Sequence, residues 1–501
     1  MAGVQPYRIV IVGGGTAGWM TAAALSQVAQ TGIDICLIES DEIGTVGVGE
    51  ATIPQIHLFN RLIGLDEREF MAATEGTIKL GIEFDGWWKQ GEKYRHNFGF
   101  LGRALGVLPF HHYWLRARKE GKAKELGAYV LNDVLSLANK FAHVERAAGS
   151  PLPTIAYAYH FDAGLYARYL RKRGEGQGVT RIEGKITSVQ RDGESGDVAS
   201  VTLENGTIVR GDLFVDCSGF RGLLINDTLG VGWEDYSHWL PCDRAIAVPC
   251  ASVTPLTPYT RSTAHTSGWQ WRIPLQHRTG NGHVFCSDYM SEDEAASILM
   301  DNLDGEALAE PRTLRFTTGR RTKAWDKNVV AIGLSSGFVE PLESTSIYSI
   351  QSGIKKLIDL LPCGRPAEVE IENYNRQFAY EFDRIRDFII GHYALNERTG
   401  QPFWDRCRDM ELPEELAHKI DLFKANGRIW REHDELFSEP GWTQMLIGQG
   451  VVPEGYHPLA DQLTSEELEE FMDIIEQLYA KEAERLPDHG DYVAQYSAAQ
   501  K

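Results

Sequence analysis

The sequence predicts an α/β protein, with an N-terminal parallel-sheet module, additional β-sheet, and a largely helical C-terminal module. Three observations predict it. The mostly apolar run YRIVIV (Tyr7–Val12) meets glycines at once and then a stretch of helical composition, the order of a buried parallel strand feeding a helix. The middle of the chain carries short apolar runs joined by turn residues. Beyond about residue 365 the composition becomes helical, with apolar residues recurring at helical spacing near the C-terminus.

The elements follow in order. TAGWMTAAALSQVA supplies the first helix, and IDICLIES (Ile33–Ser40) the second strand, which completes a βαβ unit. IEGKITSVQ and VASVTLENGTIVRGDLFVDCSG read as strands joined by turns. Asn205-Gly206 is a hairpin signal, and the polar Arg191–Asp197 stretch is a loop. NVVAIG (Asn328–Gly333) is another buried strand, with TSIYSIQSGIKKLIDLL as the helix after it. Near the C-terminus, Thr464 and Glu467 have capping-box spacing. Leu468, Phe471, Ile474, Ile475 and Leu478 then make one apolar stripe, most simply a packing face. The division expected is a discontinuous nucleotide-binding and sheet module over 1–110 and 150–365, and a mostly helical module over 111–149 and 366–501.

The net charge of −20 disfavours nucleic acid and anionic membrane as partners. The cysteines are scattered, odd in number and free of CxxC spacing. That pattern points to a reduced, cytoplasmic chain without disulfides or a zinc site. The first apolar run lacks a basic flank and ends in glycines, so it reads as a strand and not a signal peptide. No apolar run approaches the length of a membrane span. Oligomeric state is left open, a homodimer included.

Gly13, Gly14, Gly15, Thr16, Ala17 and Gly18 fit GxGxxG. The pattern alone is weak, but here it follows a strand and opens a helix. Glu39 ends the second strand about 20 residues beyond the last glycine, as a Rossmann-like unit requires. Glycines let the backbone approach a pyrophosphate, and a helix N-terminus favours its charge. Glu39 suits ribose hydroxyls and repels a 2′-phosphate. A purely structural turn is the competing account, and the fit to the whole unit outweighs it. Two later segments, Asp212–Gly222 and the one from Asn328 onward, each run an apolar strand into a glycine turn. A chain that returns twice to its nucleotide module is typical of large FAD proteins. There is no second GxGxxG, so a flavin held here draws its electrons from elsewhere.

With these features in place, GGGTAGW, GVGEATIP (Gly47–Pro54), YHFDAGLYARYL (Tyr159–Leu170), GWQWRIP (Gly268–Pro274) and GFVEPLEST (Gly337–Thr345) together resemble the motifs of the flavin-dependent tryptophan halogenase family, in that family's order. The resemblance spans residue 8 to about 460. It implies an enzyme that uses reduced FAD, oxygen and halide, bromide or chloride, to make hypohalous acid. The acid passes through a tunnel to a lysine beside an aromatic substrate, which undergoes electrophilic substitution. It also implies a separate NAD(P)H-dependent flavin reductase as partner.

By the same resemblance, Lys79 is the catalytic lysine and Glu343 the active-site glutamate. In TIKLGIEF, Leu80, Ile82 and Phe84 alternate with Lys79, Gly81 and Glu83. An extended segment would put Lys79 on the polar face, within reach of a cavity. A lone lysine is ordinarily a solvated surface group. Glu343 precedes a helix, where the macrodipole alone would favour a carboxylate. Their functional roles therefore rest on the resemblance, which also adds Gly49, Ala51, Leu334, Ser344 and Ile347 to the cofactor contacts. Thr345 and Ser346 fall where the family binds halide through backbone amides. The family commonly has glycine in place of Ser346, a departure that bears on halide preference.

GWQWRIP holds two indoles on one face if it is extended. Arg272, and Pro274 closing the run, argue against a plain central strand. In the family, Trp269 and Trp271 wall the tunnel and keep substrate off the flavin. Core packing is compatible with that role. His96 and Phe98 resemble a pair that sandwiches indole, and Trp442 is a further wall; each could equally be core. Tryptophan-specific members carry tyrosine, glutamate and phenylalanine just before that tryptophan. Here LFSEPG stands there, with Glu439 as the one carboxylate, so indole or a related aromatic is a better expected substrate than free tryptophan. Two other classes compete. An FAD aromatic monooxygenase usually has Gly-Asp where this chain has Gly333-Leu334. A non-catalytic flavin carrier would not need Lys79, Glu343 and both tryptophans.

Overall fold

The computed structural model describes residues 6–29, 31–43, 49–362 and 364–497. Gly47 and Val48 of the GVGEATIP segment lie outside them.

The strand Tyr7–Val12, the helix Thr16–Val28 and the strand Ile33–Glu39 form the expected βαβ unit, with the two strands parallel. Ile9, Val10 and Ile11 are wholly buried, because the sheet is covered on both faces and leaves no polar side to the strand. The chain returns to this sheet twice, as the sequence suggests. Leu213–Asp216 pairs parallel to Tyr7–Val12, and Val329–Ala331 pairs parallel to Leu213–Asp216. Thr180–Glu183 adds a parallel edge, and Trp325–Asp326 an antiparallel one. Between these returns, Val198–Leu203 and Ile208–Arg210 form the antiparallel hairpin expected at Asn205-Gly206. Gly206 takes φ +82° in the turn.

A seven-stranded sheet draws its strands from residues 81–97 and 244–315. In spatial order it is Arg312–Arg315, Arg244–Ala251, Arg278–Phe285, Gly268–Pro274, Thr260–His265, Gly81–Asp85 and Lys93–Asn97. GWQWRIP is thus a central strand, contrary to the reading of Arg272 and Pro274. Pro274 is its last residue, opposite Thr279 at the turn end of the hairpin. Arg272 pairs its guanidinium with Asp304 at 2.9 Å.

The alternation read across Lys79 also differs in the structure. Thr77–Lys79 pairs with Ala158–Asp162 in one small sheet, while Gly81–Asp85 belongs to the seven-stranded sheet. The chain changes partner at Leu80, whose N–H bonds the Pro258 carbonyl at 2.7 Å. Lys79 therefore sits where two sheets meet and is fully buried, not on a solvated face.

Beyond residue 365 the chain is helical. Glu368–Ala394 is the longest helix, followed by Pro402–Arg408, Glu414–Asn426, Glu439–Gly448, Ser465–Arg485 and His489–Tyr496. Thr464 and Glu467 form the expected capping box. The packing stripe of that helix is rotated from the expected one. Leu468, Met472, Ile475 and Tyr479 are buried, while Ile474 is 55% exposed. Phe471 packs edgewise on Tyr113 of the helix Phe110–Lys119.

Candidate active site

Gly15 caps the Thr16–Val28 helix without any side-chain hydrogen bond, leaving the first amides of that helix available. They border a cavity of about 840 Å3. Gly13 has φ +108°, and a Cβ there would lie 2.3 Å from the Cys217 carbonyl oxygen, so only glycine fits. Gly14, Gly15, Thr16, Ala17, Glu39, Gly49, Ala51, Leu334, Ser344 and Ile347 border the same space. Gly18 does not. It lies one turn into the helix, where a Cβ would meet the Gly13 carbonyl oxygen at 1.8 Å, so it shapes the loop from behind. The Glu39 carboxylate accepts from Trp19 Nε1 at 3.1 Å and is paired with Arg171 and Arg181. A helix start free to take a pyrophosphate, a carboxylate at the second strand end, and an apolar wall of Trp269, Trp271, Ile273 and Phe338 fit a flavin dinucleotide.

The two indoles stand in that wall with ring centroids 6.2 Å apart. Trp269 is fixed further: its Nε1 donates to Glu340 Oε2 at 3.0 Å, which also accepts from the Tyr393 hydroxyl at 2.7 Å. Burial pushes the Glu340 carboxyl up to about 7. Trp87 touches Trp269 on one side and His392 on the other, at 6.1 and 6.0 Å. Aromatic packing is thus continuous from the cavity wall to the residues around Glu343.

Thr345 caps the helix Ser346–Asp359 without a side-chain bond, and both Thr345 and Ser346 border the cavity. The residue before them, Ser344, has φ +60°, in the left-handed region disfavoured for serine. Its hydroxyl receives a hydrogen bond from Lys79 Nζ at 2.7 Å, and Lys79 Nζ also donates to the Thr52 carbonyl at 3.0 Å. Ser344 thus touches the lysine and the cavity together. The ammonium lies 5.2 Å from the centre of the Phe98 ring, a cation–π contact. Burial brings Lys79 down to about 7, against the opposing pull of the Glu343 charge.

Glu343 is 2% exposed. It does not act as a simple helix-start carboxylate, since two imidazoles hold it. His96 Nδ1 lies 2.9 Å from Oε2, and His392 Nε2 lies 2.7 Å from Oε1. Burial opposes its charge, but the charge of His96 and the hydrogen bonds from both imidazoles outweigh burial and keep its carboxyl below the ordinary range. The pair Lys79 and Glu343 therefore combines a cation that can release its proton near neutrality with a carboxylate kept ionised.

His96, Phe98 and Trp442 come together around this pair, though not as one clamp. His96 contacts Glu343 and the rings of Phe388 and Phe437; Phe98 lies under Lys79; Trp442 meets Phe388 edge-on at 4.7 Å. Phe388 and Phe437 stack face to face with centroids 3.6 Å apart. Trp442 is also covered by Lys419, whose ammonium lies 4.9 Å from its ring and pairs with Glu435. Glu439 opens the helix Glu439–Gly448 and lies 3.9 Å from His111.

Reading the sequence alone misses His392, Phe388 and Phe437. A histidine amid IIGHYAL, four residues after a phenylalanine on the same helix face, is the one local signal for them.

Residues 8–465 match the family model described as tryptophan halogenase. Among solved structures, the chain is similar to Xcc4156, a flavin-dependent halogenase from Xanthomonas campestris, with 48% identity, 99% of each chain covered and a TM-score of 0.96. It is similar also to BrvH, a flavin-dependent halogenase from Brevundimonas sp. BAL3, at 45% identity over 98% of this chain and 99% of that one, with a TM-score of 0.95. Tryptophan 7-halogenase RebH of Lentzea aerocolonigenes is 34% identical, with 97% of this chain and 98% of RebH covered. A family match over most of the chain, on a fold that sets a nucleotide cavity beside a buried lysine and glutamate, makes this protein a flavin-dependent halogenase of the tryptophan halogenase family.

Proposed function

We propose that the protein halogenates indole, or a related electron-rich aromatic without a free amino-acid group, with Lys79 and Glu343 directing the substitution. The observation that carries this reading is the buried pair itself, joined to the cavity through Ser344. Reduced FAD, when bound, supplies with oxygen the two-electron oxidation of halide to hypohalous acid. Gly13–Ala17 and Glu39 would hold its pyrophosphate and ribose, and Trp269 and Trp271 would keep the aromatic substrate away from it. Thr345 and Ser346 would bind the halide at the helix start.

Lys79 then acts as the proton donor at the oxygen of hypohalous acid. As that oxygen leaves as water, the halogen passes to a ring carbon with the electron pair of the ring. Glu343, held ionised by its two histidines, removes the proton from that carbon and restores aromaticity. The proton returned from Glu343 to Lys79 closes the cycle. Phe98, His96 and the Phe388–Phe437 pair are the rings packed beside Lys79 and Glu343, and they would have to part to admit the substrate ring.

The LFSEPG stretch before Trp442 lacks the tyrosine that accompanies the glutamate in tryptophan-specific members, which supports a substrate lacking the amino-acid group. A separate NAD(P)H-dependent reductase would supply the reduced flavin. The test combines the purified protein with reductase, FAD, NADH and bromide, and offers indole, substituted indoles and tryptophan. Mass spectrometry should find brominated indole, at C3, and little product without reductase. Absence of brominated indole while tryptophan is converted would overturn the substrate assignment.

A further inference from the structure

One of the two imidazoles on Glu343 is itself held by a longer chain. His392 Nδ1 lies 2.6 Å from the Tyr94 hydroxyl. That hydroxyl lies 3.1 Å from Gln449 Nε2, and the same amide nitrogen lies 2.8 Å from the His392 carbonyl oxygen. The donors can be assigned in sequence. A carbonyl oxygen only accepts, so the Gln449 atom facing it carries hydrogens. Its second hydrogen goes to the Tyr94 oxygen. Among the described residues Tyr94 has no other acceptor for its own hydrogen, so that hydrogen goes to His392 Nδ1, which is then the unprotonated ring nitrogen. The ring proton is then on Nε2, where it donates to Glu343 Oε1 at 2.7 Å. Turning the Gln449 amide over would bring two carbonyl oxygens together at His392.

The surrounding packing fixes the same geometry. Tyr94 and His96 are two residues apart on the strand Lys93–Asn97, so one strand face supplies both. Phe84 stacks on Tyr94 at 4.9 Å and on His392 at 4.4 Å, nearly parallel to each. A Cβ at Gly448 would lie 2.3 Å from the Tyr94 ring, so the backbone of the helix Glu439–Gly448 closes directly onto the tyrosine.

We propose that Tyr94 and His392, oriented by Gln449, are a positioning dyad that fixes the His392 tautomer and aims Glu343 at the ring proton. This rests on the reading above that Glu343 removes that proton. The titratable groups that face Glu343 are His96 and His392 directly, with Lys79 and Tyr94 coupled to it electrostatically. Without the Tyr94 hydroxyl, His392 is free to carry its proton on Nδ1. Glu343 then loses a donor and becomes more basic.

The test uses the full-length protein with reductase, FAD, NADH, bromide and indole. Tyr94→Phe keeps the stacked ring and should lower kcat about tenfold or more, with KM for indole and trapped hypohalous acid unchanged. The acid limb of its pH–rate profile should move up by about one unit. His392→Gln, which retains an amide donor, should recover activity lost in His392→Leu. Nitrogen NMR of histidine-labelled wild type, which needs no turnover, should show His392 protonated at Nε2 alone. A proton on Nδ1, or a Tyr94→Phe enzyme with wild-type kcat and pH profile while Glu343→Gln is inactive, would overturn the dyad and leave the reading of Glu343 standing. Full activity in Glu343→Gln would overturn that reading, and the dyad's catalytic purpose with it.

Discussion

The cavity edged by Gly13–Ala17 and the pocket around Lys79 meet at Ser344, yet they are built in different ways. The cavity has one side of backbone, where glycines, helix starts and strand ends meet, facing an apolar wall of side chains, and about 840 Å3 is left open between them. The lysine pocket is made of side chains packed shut. Its members come from the strands Thr77–Lys79 and Lys93–Asn97, the turn before Ser346, and the helices Glu368–Ala394 and Glu439–Gly448. A backbone cradle at a helix start suits the pyrophosphate of a large cofactor without a charged side chain at that point. A closed polar pocket fixes protonation states through burial and hydrogen bonds. If the proposed roles hold, this division lets oxidation of halide and transfer of halogen be altered separately.

The largest expected effect is at Lys79. Lys79→Ala should reduce halogenation to the level given by free hypohalous acid, on the order of a thousandfold or more. Flavin binding and halide oxidation should persist, because the lysine reaches the cavity only through the Ser344 hydroxyl. Flavin affinity by fluorescence titration and product by mass spectrometry check the two halves. Loss of both together would mean that the two regions are one unit.

Glu343→Gln should come next, with a loss of about 10²- to 10⁴-fold in product. Its amide cannot take the ring proton. Hypohalous acid trapped by an external scavenger should be undiminished, since Glu343 bonds His96 and His392 within the closed pocket. A parallel loss of trapped acid would place Glu343 in halide oxidation instead.

The difference in construction also explains what the sequence discloses. The cofactor side is legible because a strand, a glycine turn, a helix and Glu39 lie within one continuous stretch, and each carries its own local pattern. The two later returns to the sheet are legible for the same reason. The lysine side is not. Lys79 looks like a strand residue on a polar face, because nothing local shows that the chain changes sheets at Leu80. His392 is one histidine in a long helix, and its meaning comes only from Glu343 and Tyr94, which approach from other parts of the chain. Phe437 lies in a segment without periodicity. Pro274 and Ile474 show the other limit: a proline is tolerated at the end of a central strand, and which face of a helix is buried is set by the elements it packs on, as Tyr113 meets Phe471 here.

Substrate and halide choice should be a smaller effect. Indole should exceed tryptophan by about a hundredfold in kcat/KM, the ordinary value of a missing charged anchor. Bromide should at least equal chloride, being more easily oxidised at a site where Ser346 stands. Turnover of both aromatics with each halide measures this. Preference for tryptophan, halogenated on its benzo ring, would reveal an anchor for the amino-acid group, with Glu439 the first residue to test.

The smallest effect is the response to pH, and it identifies which form of Lys79 works. Burial lowers its pKa from the ordinary 10.5 to about 7 in the folded protein, with Glu343 opposing. If the ammonium is the active form, halogenation should be level below about pH 7 and fall about tenfold per unit above it. A rate that rises through the same range would assign the work to the neutral amine and to a halogenated lysine. The same shift has a consequence for stability. Between about pH 7 and 10.5 the unfolded lysine holds a proton that the folded one lacks, so the unfolded state binds more protons and stability rises with pH. The slope is at most about 1.4 kcal/mol per unit. Lys79→Met should remove that contribution. The wild type should therefore gain stability relative to Lys79→Met between pH 7 and 9, as read by denaturant unfolding. Equal slopes in the two proteins would mean that Lys79 stays charged in the fold, and a fall in rate above pH 7 would then belong to another group.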